Sequence, residues 1–191
     1  MRYGNDLTLG EARQQYFERS GFGDGGYTSR WERLKAGPVS FYFPNTRARM
    51  RAVKLHDLHH ILTEYDTTWS GEAEIGAWEV ASGCGRHYAA WFLNLNAFAL
   101  GLGIAPSAIY RAFLRGRRTR NLYTGQFEDS LLSKLVGSTR RELQLDRPSG
   151  PPVIGDRIAF VAWAVAAVAC LVGPYAVAIG AALLGCRWLS R

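Results

Sequence analysis

The sequence predicts an all-α chain with a short extended or hairpin arm, followed by a C-terminal hydrophobic membrane anchor that is either one helix or a helical hairpin. Three observations predict it. Helix-start and helix-stop residues recur along the first three quarters of the chain, at Thr8, Gly21, Thr46 and Pro106. Period-two alternation is confined to Val39, Phe41 and Phe43, and no strand–helix–strand pattern accompanies it. Finally, Ile158 to Cys186 contains no charged residue, and as continuous helix it would run roughly 43 Å, more than a bilayer core of about 30 Å needs. A chain of 191 residues with 48% hydrophobic content supports one domain with a sizeable core plus an appendage, and no second full domain. The expected division is a helical domain over 1–146, a linker over 147–157 and an anchor over 158–189.

Thr8-Leu-Gly-Glu11 fits a capping box, opening a helix that stops at Gly21. Gly21 to Gly26 formally matches GxGxxG, but it follows a helix rather than a strand, so it reads as a turn and not as a dinucleotide cradle. Trp31 to Pro44, broken at Gly37-Pro38, reads as the hairpin or arm, with its aromatic face expected on the first helix. Asn45 or Thr46 caps the next helix. A helix over about Glu72 to Ala81 follows, then one from Arg86 to Leu100 that is apolar nearly all round, for which burial is the expectation and a lipid-like ligand the alternative. Pro106 suits the first turn of a further helix to Leu114. Gly173-Pro174 breaks the final apolar segment and leaves both a kinked crossing and a hairpin open. Ala162, Ala166, Ala169, Gly180 and Gly185 allow close helix packing there, and with it a homo-oligomer.

The candidate chemistry lies between His56 and Glu72. On a helix, His56 and His60 stand four apart on one face and Asp57 lies three before His60, so three donors share one arc. One helical turn cannot close a coordination shell. Glu72, near the start of the next helix after a loop over 64–70, is placed to supply the further ligand. His59 points to another face and reads as incidental. Its HxxHH string matches that of membrane desaturases, which need about twice the four histidines present.

The spacing His-Asp-x-x-His, eleven residues, then Glu preceded by Gly resembles the signature of the Coq-four family of coenzyme Q biosynthesis. The approach Asn45 to His56, with its basic run, resembles that family's entry into the same helix, and Thr139-Arg-Arg-Glu-Leu-Gln-Leu145 resembles its closing helix. The resemblance covers about residues 30 to 146 and does not extend to the tail, which typical members lack. It implies His56, Asp57, His60 and Glu72 as metal ligands. From helical spacing alone, Glu79, one helical face from Glu72, is the candidate for supporting them. The resemblance implies a prenylated hydroxybenzoate as substrate, losing its ring carboxylate while ring carbon one is oxygenated, so that the chain acts as a metal-dependent oxidative decarboxylase. A non-catalytic scaffold that binds quinone lipids and gathers other quinone-pathway enzymes is the alternative that the same resemblance implies. From the residues alone, a zincin-like metallohydrolase is a further alternative, although Asp57 stands where such enzymes carry the longer Glu base. Mixed nitrogen and oxygen donors suit a divalent cation, zinc first and iron or manganese also.

The formal net charge of +7 makes nucleic acid and anionic membrane the partners to compare. Arg111, Arg115, Arg117, Arg118 and Arg120 form the densest positive run, but no nucleic-acid motif and no interleaved exposed aromatics accompany it, so nucleic acid is not expected. The uncharged tail favours the membrane. Arg140, Arg141, Arg147 and Arg157 precede the tail and favour the cytoplasmic side of an inner, cytoplasmic membrane. Met1 to Ser20 has no apolar run that would mark a secretory signal. Cys84, Cys170 and Cys186 are odd in number and widely spaced, which suggests thiols, and no CxxC offers a thiolate zinc site.

Overall fold

A computed structural model describes residues 2–21, 23, 25–36, 39–148 and 150–189, with side chains placed except at 32–41, 43 and 177–189. Among the described residues it contains seven α-helices and one two-stranded antiparallel hairpin. Helix α1, Leu9–Ser20, begins with the expected capping box, Thr8 accepting from the Glu11 amide while Glu11 accepts from Thr8, and ends at Gly21 with φ 68°, a left-handed conformation that costs glycine nothing. Strands β1, Trp31–Ala36, and β2, Val39–Pro44, pair from Trp31 with Pro44 to Ala36 with Val39. Gly37-Pro38 and the aromatic face of the arm fall outside the described residues.

Thr46 caps α2, Arg47–Thr63, the helix of the histidines. Its neighbour α3, Trp69–Ser82, starts earlier than the expected Glu72 because Thr68 accepts from the Gly71 amide and caps it there. Helix α3 packs against both α4, Tyr88–Ile104, and α5, Pro106–Gly116. Glycine makes these approaches close: a Cβ on Gly101 would lie 2.6 Å from the Ala73 Cβ, and one on Gly116 would run into the Trp78 carbonyl. Trp78, Phe98, Phe113, Ile75 and Ile109 fill the space between the three helices.

Helix α6, Val136–Glu142, ties the first residues of the chain to the end of α2. Its Arg140, 8% exposed, donates to the carbonyls of Leu62 (3.0 Å), Ile61 (2.9 Å) and Tyr3 (3.3 Å), and to Asn5 (2.8 Å) and Glu64 (2.9 Å). Arg115 donates to the Thr63 carbonyl at 2.9 Å. Two guanidinium groups therefore take the last carbonyls of α2, where the helix dipole favours positive charge.

Helix α7, Ile154–Leu189, runs 36 residues through Pro174, so the segment is one helix, not a hairpin. It begins inside the stretch 147–157 expected to be a linker. Arg118 explains the ordered approach, because it donates to the carbonyls of Gly150 (2.7 Å) and Pro151 (2.8 Å) and to Asp156 (2.9 Å), beside the Arg117–Asp156 pair. Part of the basic run is thus spent on holding α7. Among the described residues, Ile154–Ala176 is one helix long and apolar enough to cross a membrane, by length and composition. Phe160, Trp163, Ala167 and Leu171 of α7 pack on the domain, largely on α4.

The expected full burial of α4 does not hold. Ala90, Asn94, Phe98, Ala99 and Gly101 face inward, while Tyr88, Phe92, Leu93, Leu100 and Ile104 remain 39 to 73% exposed. With α3 on one side and α7 covering only part of the rest, that face stays exposed among the described residues.

Candidate metal centre

Helices α2 and α3 present three donor atoms to one point. His56 Nε2 lies 3.2 Å from His60 Nε2 and 3.4 Å from Glu72 Oε2, and His60 Nε2 lies 3.3 Å from Glu72 Oε1. Bonds of about 2.0–2.1 Å to a tetrahedral ion give donor separations of about 3.3 Å. Each histidine reaches that separation with a different Glu72 oxygen; taken as one ligand atom from each residue, the three lie within 4.8 Å of one another, close enough to share one ion. His60 is 1% exposed, but the side chains of His56 and Glu72 are 20% and 37% exposed, so the fourth corner faces outward.

The opposite nitrogen of each ring fixes its tautomer. His56 Nδ1 donates to Glu79 Oε1 at 2.8 Å, and His60 Nδ1 donates to the Tyr65 carbonyl at 3.1 Å. With both Nδ1 protons so engaged, the neutral rings aim two Nε2 lone pairs at each other across 3.2 Å with a carboxylate beside them. Such an arrangement repels itself unless a proton or a cation lies between the donors, and this donor chemistry fits a divalent metal ion. In the metal-free chain the proton takes that role. Burial disfavours charge on His56, but Glu79 and Glu72 outweigh it and hold its pKa well above the ordinary histidine value. Burial likewise pushes the Glu72 carboxyl up, yet hydrogen bonds and charge from His56 and His60 hold it well below the usual carboxylate range.

Glu79 is fully buried on α3. One oxygen accepts from His56 and, at 2.6 Å, from His59 Nδ1, and the other accepts from Tyr123 Oη at 2.9 Å and from the Asn94 amide. A buried carboxylate with four donors stays ionised: burial raises its pKa, but His56 and His59 outweigh that and hold it well below its ordinary value. His56 is thereby oriented by a carboxylate on its far nitrogen, the arrangement that fixes ring direction and raises ligand basicity at histidine metal sites.

His59, expected to be incidental, is a working part of this support. It is fully buried, its Nε2 accepts from the Leu122 amide at 2.9 Å, and its Nδ1 proton goes to Glu79. The ring meets Trp78 and Tyr123 edge to face. Asp57 moves the other way. The structure brings together His56, His60 and Glu72, while Asp57 Oδ2 accepts from Tyr27 Oη at 2.5 Å. One residue along the helix turns a side chain by about 100°, which carries Asp57 from the shared point to α2's flank, where Tyr27 holds it. Burial raises its pKa against the opposing pull of Tyr27 and the two histidines.

Three supporting residues were missed in the sequence. Asn94 had a readable signal, an amide within an otherwise apolar helix. Tyr123 had none, because it reaches Glu79 from a 3₁₀ turn, Leu122–Thr124, held by Asn121 to Ser82 and Gly83. Tyr16 of α1 stacks on the His60 ring at 5.5 Å, and nothing in its local sequence marks it.

No protein-family model, no curated protein and no solved structure matches the chain. What the site can do rests on its geometry.

Proposed function

We propose that the chain is a membrane-bound, metal-dependent enzyme of quinone biosynthesis, acting on a prenylated hydroxybenzoate, as the likeness to the Coq-four family first suggests. The observation that carries the reading is the convergence of His56, His60 and Glu72 with one side open, in a chain that also carries exposed apolar helical surface on α4 and α7. An aromatic acid with a polyprenyl tail needs both surfaces. Zinc, with iron or manganese as alternatives, would be held by the three donors, and when bound it would supply a Lewis acid that polarises the ring carboxylate or the phenolic oxygen. With the metal bound, His56, oriented by Glu79, and His60, oriented by the Tyr65 carbonyl, would offer deprotonated Nε2 atoms aimed at it. The outward fourth corner admits the aromatic head. Replacing the ring carboxylate by hydroxyl releases CO₂ and is a two-electron oxidation, so the oxidant is supplied from outside the chain. The arginines before α7 favour an inner, cytoplasmic membrane with the domain on its cytoplasmic side.

A metallohydrolase is the second reading, favoured by the two-histidine, one-carboxylate donor set with an open corner. Against it, the nearby carboxylates that could serve as a base are engaged, Asp57 with Tyr27 and Glu79 with four donors. Full-length protein, purified in mild detergent, loaded with zinc, iron or manganese and supplied with dioxygen as oxidant, should convert prenylated hydroxybenzoate with release of CO₂ and stop after chelation. Retention of metal and lipid without turnover would leave the scaffold reading, and turnover of esters or peptides would establish the hydrolase.

A further inference from the structure

Helix α7 does not leave the domain before its apolar stretch begins. Within that stretch Trp163 stacks on Trp91 at 5.1 Å, Phe160 meets Phe98 at 5.6 Å and Asn96 Nδ2 lies 3.6 Å from Cys170 Sγ. All three partners belong to α4. Counted from Ile154, Phe160 and Cys170 lie about 9 Å and 24 Å along the helix axis, so α4 is fixed beside the part of α7 that would occupy the hydrocarbon.

From this we infer that α4 is itself embedded in the bilayer, its face of Tyr88, Phe92, Leu93, Leu100 and Ile104 meeting acyl chains, and that the domain is immersed along one side rather than tethered. The inference rests on the membrane reading of α7. Two further features of α4, and one at the start of α7, fit it. The seventeen residues of α4 carry no charge. Both of its asparagine amides have partners, Asn94 with Glu79 and Asn96 with the Phe92 carbonyl at 2.7 Å, so no side-chain amide is left unsatisfied in lipid. The charged groups lie at the entry, where Arg117 and Arg118 hold Asp156 at the first turn of α7, a level suited to lipid headgroups.

The test uses full-length protein in liposomes, with Cys170→Ala and Cys186→Ala to remove competing thiols and buried Cys84 left in place. Nitroxide labels enter singly through Phe92→Cys, Leu100→Cys, Val165→Cys on α7, or Arg51→Cys on the exposed side of α2, and collision with oxygen and with a water-soluble nickel chelate is measured. The expected result is high oxygen and low nickel accessibility at 92, 100 and 165, and the reverse at 51. Lipid exposure at 165 with nickel accessibility at 92 and 100 overturns the inference and leaves the anchor intact. Shielding of 92 and 100 from both reagents shows a protein partner there and also overturns it. Nickel accessibility at 165 as well removes the anchor reading itself.

Discussion

The surroundings of Glu79 and the outer face of α4 lie on opposite sides of the same residue, Asn94, and differ in nearly every respect. On the inner side each polar atom has a named partner: Glu79 receives four hydrogen bonds, His59 is engaged at both nitrogens, and the end of α2 is closed by Arg140 and Arg115. On the outer side five large apolar side chains remain 39 to 73% exposed among the described residues. The contrast teaches that this domain uses directional contacts where a geometry must be held and leaves apolar side chains exposed on the far face of α4. A buried ionised group without partners costs several kcal/mol, whereas an exposed leucine costs little wherever the neighbouring phase is itself apolar.

The sharpest way to break the contrast is Glu79→Ala, which leaves His56, His59, Tyr123 and Asn94 donors facing a void. Thermal unfolding followed by helical circular dichroism should show a loss of about 3–5 kcal/mol, and a loss under about 1 kcal/mol would mean that the network is not holding the fold. Phe98→Ala, on the inward face of α4, should cost about 3–5 kcal/mol by the same measurement. Leu100→Ala, two residues away on the outward face, should change stability by no more than about 0.5 kcal/mol. Equal effects at 98 and 100 would erase the distinction between the faces.

Metal binding sharpens the inner half. His60→Ala should lower zinc affinity by about 100-fold or more in a competition titration, whereas Asp57→Asn should change it by less than about tenfold, since its carboxylate is held by Tyr27. A large Asp57 effect would return it to the ligand set. The smallest signal is in protons. His56 in the metal-free chain has a raised pKa, so its charged form is favoured by the fold, with that contribution present below about 6.5 and lost as pH rises through the raised value. The cation needs the neutral ring, so affinity should rise with pH by up to about tenfold per unit and level off above the His56 pKa. Calorimetry in buffers of different ionisation enthalpy should detect release of about one proton per zinc at neutral pH, and no release would show that His56 is already neutral there.

The local sequence determined the helix ends at Thr8, Gly21, Thr46 and Pro106, an extended arm or hairpin around residues 31–44, the uncharged final segment, and the i, i+4 histidines. Each depends on a hydrogen bond, a dihedral preference or a charge tally confined to a few neighbouring residues. What only the tertiary structure decided is which side chains meet. The rotation of α2 against α3 puts Glu72 at the histidine pair and sends Asp57 to Tyr27. A turn more than sixty residues away supplies the amide that makes His59 a support rather than a bystander, and the docking of α7 on α4 decides which apolar residues stay uncovered. Spacing fixes direction around one helix axis, but the distance between two axes is set by the side chains packed between them, and that is a property of the folded chain as a whole.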